Sequence, residues 1–448
     1  MKAVHYTKEQ LTERFEFTPK LRNFIFGLIG VGLVLVLLGA FLGGGGEEHA
    51  TEGGHHAAAA AGEVIAVADT DGGHHADHPP VLVRRILANL LISSLYFMTI
   101  AMGCMFFLTV HRIGNAGWHT AIKRVPEAIV TWLPVGAAGF AILCIFLNQL
   151  YEWAILPAGA DAIIDSKRAY LNQPFFIART FVFFLIWGAA AWYYRRLSHK
   201  QDAAASSDEG VAWFKRSEAL SAGFVVFFAL SYSFFAVDWI KSLEPHWFST
   251  IFGVQVFAGS MVIANVTMYL LLLYLQNQGY MKYVNPSHYH DLGKYTFGFS
   301  IFWAYTWLAQ YLLIWYANIP EEGIYYVKRY RVEDPEYLGY AFFFYANIII
   351  NFITPFFALM TRDAKRHATT FVPVGILLIY GHWQDLFQMV MPGAVGKNQG
   401  IGFLEIGFFL AFAGLFMLVV FRSLTRANLA PVNHPYLEES LHHTTGAV

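Results

Sequence analysis

The sequence predicts an all-α integral membrane protein with about ten transmembrane helices. Of its 448 residues, 56% are hydrophobic and only 14% are charged, whereas a soluble domain usually carries about 25% charged residues. Long apolar runs occur ten times, and a helix needs about 20 apolar residues to cross about 30 Å of hydrocarbon. A soluble enzyme, a nucleic-acid binder and a disulfide-stabilised secreted domain are therefore excluded as classes for the whole chain.

Charged residues are almost absent from the ten apolar runs, which we number as helices 1 to 10. Of all the Asp, Glu, Lys and Arg residues, the runs hold only Arg179, Asp385 and Glu405, and His382 is their one histidine. The runs cover residues 23–43, 86–110, 128–147, 175–194, 219–237, 251–275, 295–317, 338–360, 370–391 and 402–421.

The placement of Lys and Arg predicts the orientation in the membrane. An even number of spans puts both termini on one side, and that side carries 20 Lys and Arg against 9 on the other. Positive residues are retained preferentially in the cytoplasm. The N-terminal segment 1–22 and the tail 425–448 are therefore predicted to be cytoplasmic.

The predicted periplasmic loop 44–83 is rich in histidine and acidic residues and has no Lys or Arg. Such tracts can bind metal, but a flexible, negatively charged loop is the interpretation that we favour. Cys104 and Cys144 are the only cysteines, too few for the four thiolates of an iron–sulfur cluster. With His382 as the one histidine at membrane depth, a bis-histidine haem is not expected either. We predict no redox metal and no covalently bound cofactor.

Two parts of the chain resemble each other. Asp238 and Asp385 each stand seven residues before a proline at the end of an apolar run, and Phe-Phe-Ile-Ala-Arg179 resembles Phe-Phe-Tyr-Ala-Asn347. The copies are four spans apart and so share one orientation. This pattern predicts two four-helix bundles, helices 2–5 in residues 84–237 and helices 6–9 in residues 251–391, joined by a loop at 238–250. Helix 1 and helix 10 (402–424) are then peripheral, and a chance resemblance is the alternative.

The ionisable residues at membrane depth are the candidate functional residues. Placing each of these side chains within the membrane costs about 2.5–3.5 kcal/mol on insertion scales. Their presence in a span therefore indicates a structural or functional role. His382 and Asp385 lie three residues apart, on one helical face. They could belong to a proton path or quinone pocket, because quinol oxidation needs groups that accept protons. They could equally form structural contacts between helices, such as an ion pair of Arg179 with Glu152 or Asp385.

The remaining candidates lie nearer the predicted periplasmic side. Asp238, Glu405, Arg179 and Glu152 are further candidates for a proton path or quinone pocket, although a structural role is favoured for Arg179. Residues at the rim are expected in an interface or a solvated loop, namely Lys241, Glu244 and His246. The span residues Asn347, Asn351 and Trp303 are expected to contribute to helix packing.

Two strings resemble a known family. These are Asp-Trp-Ile-Lys-Ser-Leu-Glu-Pro-His-Trp-Phe-Ser-Thr-Ile-Phe-Gly at 238–253 and Gln-Tyr-Leu-Leu-Ile-Trp-Tyr-Ala-Asn-Ile-Pro-Glu-Glu at 310–322. They resemble membrane subunits of alternative complex III, in the NrfD-like, polysulfide-reductase-type family. The likeness extends over about residues 84–424, and it implies a location in a bacterial cytoplasmic (inner) membrane.

The resemblance implies a cofactor-free subunit of a respiratory quinol:cytochrome c or acceptor oxidoreductase, contributing to quinone interaction, proton translocation or assembly. Its implied partners are a sister NrfD-like subunit, an iron–sulfur subunit, c-type cytochromes, a terminal oxidase and lipids, with haem c and the clusters in the partner subunits. A quinone of the menaquinone or ubiquinone type is the one ligand implied for the membrane part. Asp238 would be the first-bundle counterpart of the His382 and Asp385 pair, although Phe235 stands where that copy would need a histidine.

Two other functions fit ten apolar helices. One is a secondary transporter with parallel repeats. Such proteins often break helices at the midplane with Gly or Pro. Here Pro134, Pro355 and Pro373 lie nearer one end of their runs, which makes a transporter less favoured. A purely structural membrane anchor is the other.

Overall fold

A computed structural model describes residues 11–44, 79–330, 338–396 and 400–445. Within these ranges the secondary structure is helical, apart from one β-bridge between Arg14 and Asn428. Nine helices in these ranges are long and apolar enough to cross a membrane. The chain is therefore an all-α, multi-pass membrane protein. Most of the histidine-rich loop lies outside the described residues, so the interpretations of that loop stay predictions.

Ten long helices can be followed through the described ranges. They are α1 (Pro19–Gly44), α2 (Val81–Ile113), α3 (Arg124–Ile145), α4 (Gln173–Asp202), α5 (Ser207–Trp239), α6 (Phe252–Asn277), α7 (Pro286–Ala317), α8 (Gly339–Ala358), α9 (Ala368–Ala394) and α10 (Phe403–Leu424). A short helix, Pro320–Tyr330, follows α7.

Helix α9 is the long helix that is not among the nine apolar ones in the described ranges. It has 27 residues, enough to span a bilayer. Its second half contains His382, Gln384, Asp385 and Gln388, all of them buried. These polar side chains reduce the hydropathy of α9, and they are the reason why the number of apolar helices is smaller than the ten runs predicted from the sequence.

The C-terminal tail, residues 425–445, marks one end of the molecule, which we call the tail end. It bonds to the loop before α3 (Ser440 Oγ to the Trp118 carbonyl, 2.6 Å) and to the N-terminal segment (Leu429 N to the Glu13 carbonyl, 3.0 Å). It also bonds to the loops beside α4, α7 and α9. Both described ends of the chain therefore lie at the tail end, and the long helices run alternately between it and the opposite end.

Several helices begin at polar capping residues that lie outside the apolar runs. Asn172 and Ser206 accept backbone N–H groups at the starts of α4 and α5, and Asn285 forms a capping box at the start of α7. Such caps satisfy the free N–H groups of a first turn. Proline in the first turn of α4 and α7 suits the helix start as well. The helices therefore extend beyond the hydrophobic stretches seen in the sequence.

Helices α2 and α6 occupy the centre of the molecule. Helix α2 packs against α3, α5, α6, α9 and α10, and α6 packs against α2, α5, α7 and α9. Within the first half, α3 also contacts α4, and α4 contacts α5; within the second half, α7 contacts α8, and α8 contacts α9. The two halves thus repeat one pattern of neighbours around a central helix.

Helix α1 lies at the periphery and packs against α10 at close range. A Cβ added to Gly32 would lie 2.4 Å from the backbone nitrogen of Ala411, and one added to Gly407 would lie 2.7 Å from that of Val36. Small residues allow two membrane helices to approach backbone to backbone. Most of the other residues of α1 are exposed, as expected for a helix that faces lipid.

Candidate functional site

His382 and Asp385 lie in the second half of α9, nearer the opposite end than the tail end. Both are buried, with 3% and 6% of their surface exposed. Because they are three residues apart in a helix, their side chains leave the same face. That face is directed towards α6, α7 and α8.

The carboxylate of Asp385 is held by two uncharged donors. Trp303 Nε1 of α7 donates to Oδ2 at 3.0 Å, and Asn347 Nδ2 of α8 donates to Oδ1 at 2.7 Å. Among the described residues, no Lys, Arg or His nitrogen forms an ion pair with this carboxylate within 4.0 Å. Asp385 is therefore a buried acid that has hydrogen bonds and lacks a neutralising cation.

A second layer of polar residues holds Asn347 in place. Asn351 Nδ2 donates to Asn347 Oδ1 at 2.5 Å, and Asn351 belongs to a five-residue π-helical segment of α8, Ile349–Ile353. A Cβ on Gly381 would lie 2.1 Å from Asn351 Oδ1. Glycine at this position therefore lets α8 approach α9, and π-helical segments are frequent at functional sites.

The imidazole of His382 adjoins the same cluster. The indole of Trp303 meets it edge-on, with ring centroids 5.7 Å apart. A Cβ on Gly259 of α6 would lie 3.1 Å from Nδ1. Nε2 is buried and has no hydrogen-bond partner in the described part of the chain. A buried nitrogen without a partner is costly, and among the described residues this cost of Nε2 is not offset by a hydrogen bond.

A small polar cavity of about 20 Å³ reaches Asp385 from the opposite end. A site of about 10–15 Å³ with polar partners can hold one water. The polar lining residues other than Asp385 are Gln255, Gln310, Gln388, Tyr325, Tyr326 and Arg329. Asp385 thus has polar surroundings on its outer side and is not enclosed by apolar side chains alone.

Arg329 closes the outer wall of this cavity. It comes from the short helix Pro320–Tyr330, is 2% exposed, and donates to Glu244 Oε2 at 2.5 Å and to the Gln388 carbonyl at 3.0 Å. Its guanidinium carbon lies 3.5 Å from the centre of the Tyr325 ring. Burial by itself lowers the pKa of Arg329, but Glu244 and the nearby tyrosines more than offset this, so its pKa is raised and the cation is permanent.

The first half of the chain holds its aspartate differently. Arg179 of α4 donates to both carboxylate oxygens of Asp238, from Nε at 3.1 Å and from Nη2 at 3.0 Å. Tyr170 adds a third hydrogen bond to the same carboxylate, at 2.7 Å. The expected partners of Arg179, Glu152 and Asp385, were wrong: Glu152 is exposed, and Asp385 belongs to the other half.

The sequence repeat aligns these two arrangements residue by residue. Arg179 and Asn347 occupy matching positions, as do Asp238 and Asp385. In both halves the first residue of the pair donates a hydrogen bond to the second across two helices. The geometry is shared while the charge is not, because the guanidinium of the first half is replaced by an amide in the second.

Glu405 is saturated with partners. It accepts two hydrogen bonds from Arg85 at 2.8 Å each, one from Asn89 at 2.8 Å, and one from the backbone N–H of Gly402 at 2.7 Å. These contacts join α2 to the first turn of α10. A buried carboxylate with a bidentate arginine and further donors is stably ionised, so the geometry favours a structural role for Glu405.

The predicted rim residues lie together at the opposite end. His246 Nε2 contacts Asp161 Oδ2 at 2.6 Å, while Lys241 lies 5.8 Å from the centre of the Phe248 ring. Burial by itself raises the pKa of Asp161, but its bonds from two backbone amides and from His246 outweigh this and lower the pKa overall. Of the three rim residues, only Glu244 contributes to the wall of the cavity beside Asp385, through Arg329.

Sequence reasoning missed the role of Arg329 and undervalued Trp303 and Asn347. Arg329 was counted as a loop charge, and its burial could not be foreseen. For Asn347 a signal was present, since the repeat aligned it with Arg179. In the described ranges, no three His, Cys, Asp or Glu side chains are grouped as metal ligands. No protein-family model and no curated protein matches the chain.

Proposed function

We propose that this chain is a proton-conducting membrane subunit of a respiratory complex that oxidises quinol, with Asp385 as the group that takes up and releases the proton. The observation that carries the proposal is the position of Asn347. It stands where the first half has an arginine, and it leaves Asp385 without a neutralising cation.

The energetic argument compares the two aspartates. An ion pair such as that of Arg179 with Asp238 fixes the charge of both partners, because removing one leaves a buried charge that costs about 3–5 kcal/mol. Asp385 has only neutral donors, so it can change protonation without stranding a partner. A carboxyl group at membrane depth that can gain and lose a proton is typical of proton relays.

The neighbours of Asp385 supply both sides of such a relay. A water in the adjacent cavity would exchange protons with the carboxyl group on the side of the opposite end. His382, whose Nε2 has no partner among the described residues, lies one helical turn back along α9, towards the tail end, and would bind the next water of the relay through that atom. Arg329 at the cavity wall is already paired with Glu244, so it does not take the place of a cation beside Asp385.

The place of this subunit in a quinol-oxidising complex rests on the resemblance of residues 238–253 and 310–322 to membrane subunits of alternative complex III. The arrangement of helices α2–α5 and α6–α9 as two four-helix bundles is part of this proposal, and the repeated pattern of neighbours supports it. The haem c and iron–sulfur groups would belong to partner subunits, and the tail end would face the cytoplasm of a bacterial cell.

Asp385→Asn tests the proton role in the assembled complex. Asn keeps the size and can accept one of the two hydrogen bonds but cannot titrate, so we expect quinol-driven proton release to fall by at least about 100-fold, the lower end of the range usual for loss of a proton-transfer group. Asp385→Glu, which can titrate, should keep much of the release. Full proton release by the Asn variant would overturn the proposal.

Purification tests the respiratory assignment separately. A tagged chain extracted in mild detergent should bring down proteins that carry haem c and iron–sulfur clusters, with quinol oxidation activity. A chain that is purified alone and transports a solute in vesicles would instead be a transporter.

A further inference from the structure

A small cavity lined by arginines lies at the tail end, where α3, α4 and α10 meet. Its volume is about 10 Å³, which is room for about one water-sized atom. Its polar lining residues are Arg124 and Glu127 of α3, Arg195 of α4, Ser423 of α10 and Asn428 of the tail. We call it the arginine cavity. None of its lining residues borders the cavity beside Asp385, so the two sites are separate.

Arg195 joins α4 to the end of α10 through uncharged acceptors. Its Nη2 donates to the Ser423 carbonyl at 2.8 Å, and its Nη1 donates to the Ser423 hydroxyl. Nη1 also lies 3.5 Å from the Glu127 carbonyl. Among the described residues, no carboxylate oxygen lies within 4.0 Å of an Arg195 nitrogen. The guanidinium of Arg195 is therefore half-buried without a counter-charge.

The two acids of this cluster are already paired with other arginines. Arg124 Nη1 donates to Glu127 Oε2 at 2.8 Å, and Arg124 Nη2 pairs with Asp202 Oδ2. Glu127 also pairs with Arg112, at 3.5 Å. Three arginines, Arg195 included, thus share two carboxylates. Because an unbalanced buried charge is strongly destabilising, the cluster lacks one negative charge.

Unused hydrogen-bond donors accompany the missing charge. Arg124 is 3% exposed, and its Nε has no hydrogen-bond partner in the described part of the chain. The same holds for Nη1 of Arg112. A buried donor without a partner costs about 1–3 kcal/mol, and guanidinium groups bind phosphate oxygens especially well. One phosphate oxygen in the arginine cavity would supply both an acceptor and a negative charge.

The arginine cavity lies at the depth expected for lipid head groups. Arg196 and Arg422, which adjoin Arg195 and Ser423 in the sequence, are exposed. The guanidinium carbon of Arg196 lies 5.1 Å from the centre of the Trp192 ring, and Trp192 is 61% exposed. Exposed tryptophan and arginine near the end of a transmembrane helix are typical of the membrane–water interface. A phosphate at this depth is within reach of the lipid.

The charges at the opening select the kind of lipid. Arg426 is exposed and lies close enough to Arg195 for the two charges to repel each other. A head group that carries an ammonium would be repelled here, whereas a phosphodiester without a cation adds the negative charge that the cluster lacks. Basic pockets between transmembrane helices are typical binding sites for anionic head groups. We propose that Arg124, Arg195, Ser423 and Arg426 bind the phosphate of an anionic phospholipid.

Native mass spectrometry of the full chain, delipidated in detergent and titrated with phosphatidylglycerol, tests this inference, which does not depend on the proton role of Asp385. We expect one phosphatidylglycerol to bind about tenfold more tightly than phosphatidylcholine, equivalent to about 1.4 kcal/mol. Inorganic phosphate at the same concentration should not displace it, because the acyl chains add contacts with exposed apolar residues of α10 such as Leu415. Equal binding of the two lipids, or displacement by inorganic phosphate, would overturn the proposal.

Arg195→Gln removes the unbalanced charge, and we expect phosphatidylglycerol binding to weaken by about tenfold. Arg196→Gln is the matched control, since it removes the same charge from the neighbouring exposed position, and it should bind phosphatidylglycerol normally. Arg426→Gln, also at an exposed position, should weaken binding without a change in the thermal midpoint, so the test holds even if Arg195→Gln lowers stability. Equal affinity of the Arg426→Gln and Arg196→Gln variants for phosphatidylglycerol would contradict the proposal.

Discussion

The contrast between Arg179 and Asn347 is the most informative difference at the scale of single residues. Both side chains donate to an aspartate on a neighbouring helix, and both aspartates are nearly inaccessible to solvent. One pair is a closed ion pair, and the other is an acid with neutral donors. Duplication followed by one change of side chain would account for a structural site and a proton site in one chain.

Asn347→Arg should give Asp385 the cation that Asp238 has. The ion pair would hold the aspartate ionised, so we expect proton-coupled turnover of the complex to fall by at least about tenfold. Turnover and the yield of assembled complex are the measurements, and Asn347→Gln is the control that keeps a neutral amide. Normal turnover of the Arg variant in a fully assembled complex would contradict this view of the site.

The site could be predicted from the sequence only in part. The sequence singled out His382 and Asp385 because they were ionisable residues within apolar runs. It aligned Arg179 with Asn347 but assigned wrong partners to Arg179, since distances between helices cannot be read from one chain. Arg85, the partner of Glu405, was counted among the loop charges for the same reason.

At the scale of elements, the C-terminal tail connects most of the loops at its end of the molecule. His434 of the tail packs its ring against Phe214 of α5, at 5.1 Å between centroids. Burial lowers the pKa of His434 well below its usual value of 6.5, and Lys123 and His119 lower it further. Burial likewise lowers the pKa of His119. Both imidazoles are therefore neutral in the folded state.

A fall in pH should weaken the packing of the C-terminal tail. The folded pKa of His434 is lower than the unfolded one, so its contribution to stability is complete above about pH 6.5 and declines as the pH falls below that value. We expect the thermal midpoint of the detergent-solubilised chain to fall between pH 7.5 and pH 5. His434→Gln should make this dependence shallower, and His442→Gln, at an exposed position, should not. An identical pH dependence in all three proteins would refute the role of His434.

At the scale of the whole molecule, the positions of the long helices and their alternation between the two ends could be predicted, because hydrocarbon excludes charge along whole spans. Helix α9 was predicted as well, at 370–391, although its polar second half keeps it out of the nine apolar helices of the described ranges. The lengths of the helices were underestimated where caps begin them in polar sequence, as for α5 and α7. The short helix Pro320–Tyr330 was missed because it is amphipathic and too short to span.

The excess of Lys and Arg at the tail end predicts that this end faces the cytoplasm. Two matched substitutions test it, Ser166→Cys at the opposite end and Ser207→Cys at the tail end, both at exposed positions. A membrane-impermeant maleimide applied to intact spheroplasts should label the first and reach the second only after lysis. The unsubstituted chain controls for Cys104 and Cys144, and the reverse pattern would invert the topology.

The most direct test of the central claim is infrared difference spectroscopy of the assembled complex during quinol oxidation. If Asp385 takes up and releases a proton, the spectrum should contain a carboxyl C=O band that shifts in D2O and is missing in Asp385→Asn. A spectrum in which every carboxyl band persists unchanged in Asp385→Asn would show that this aspartate keeps one protonation state, and the account of the proton site would be wrong.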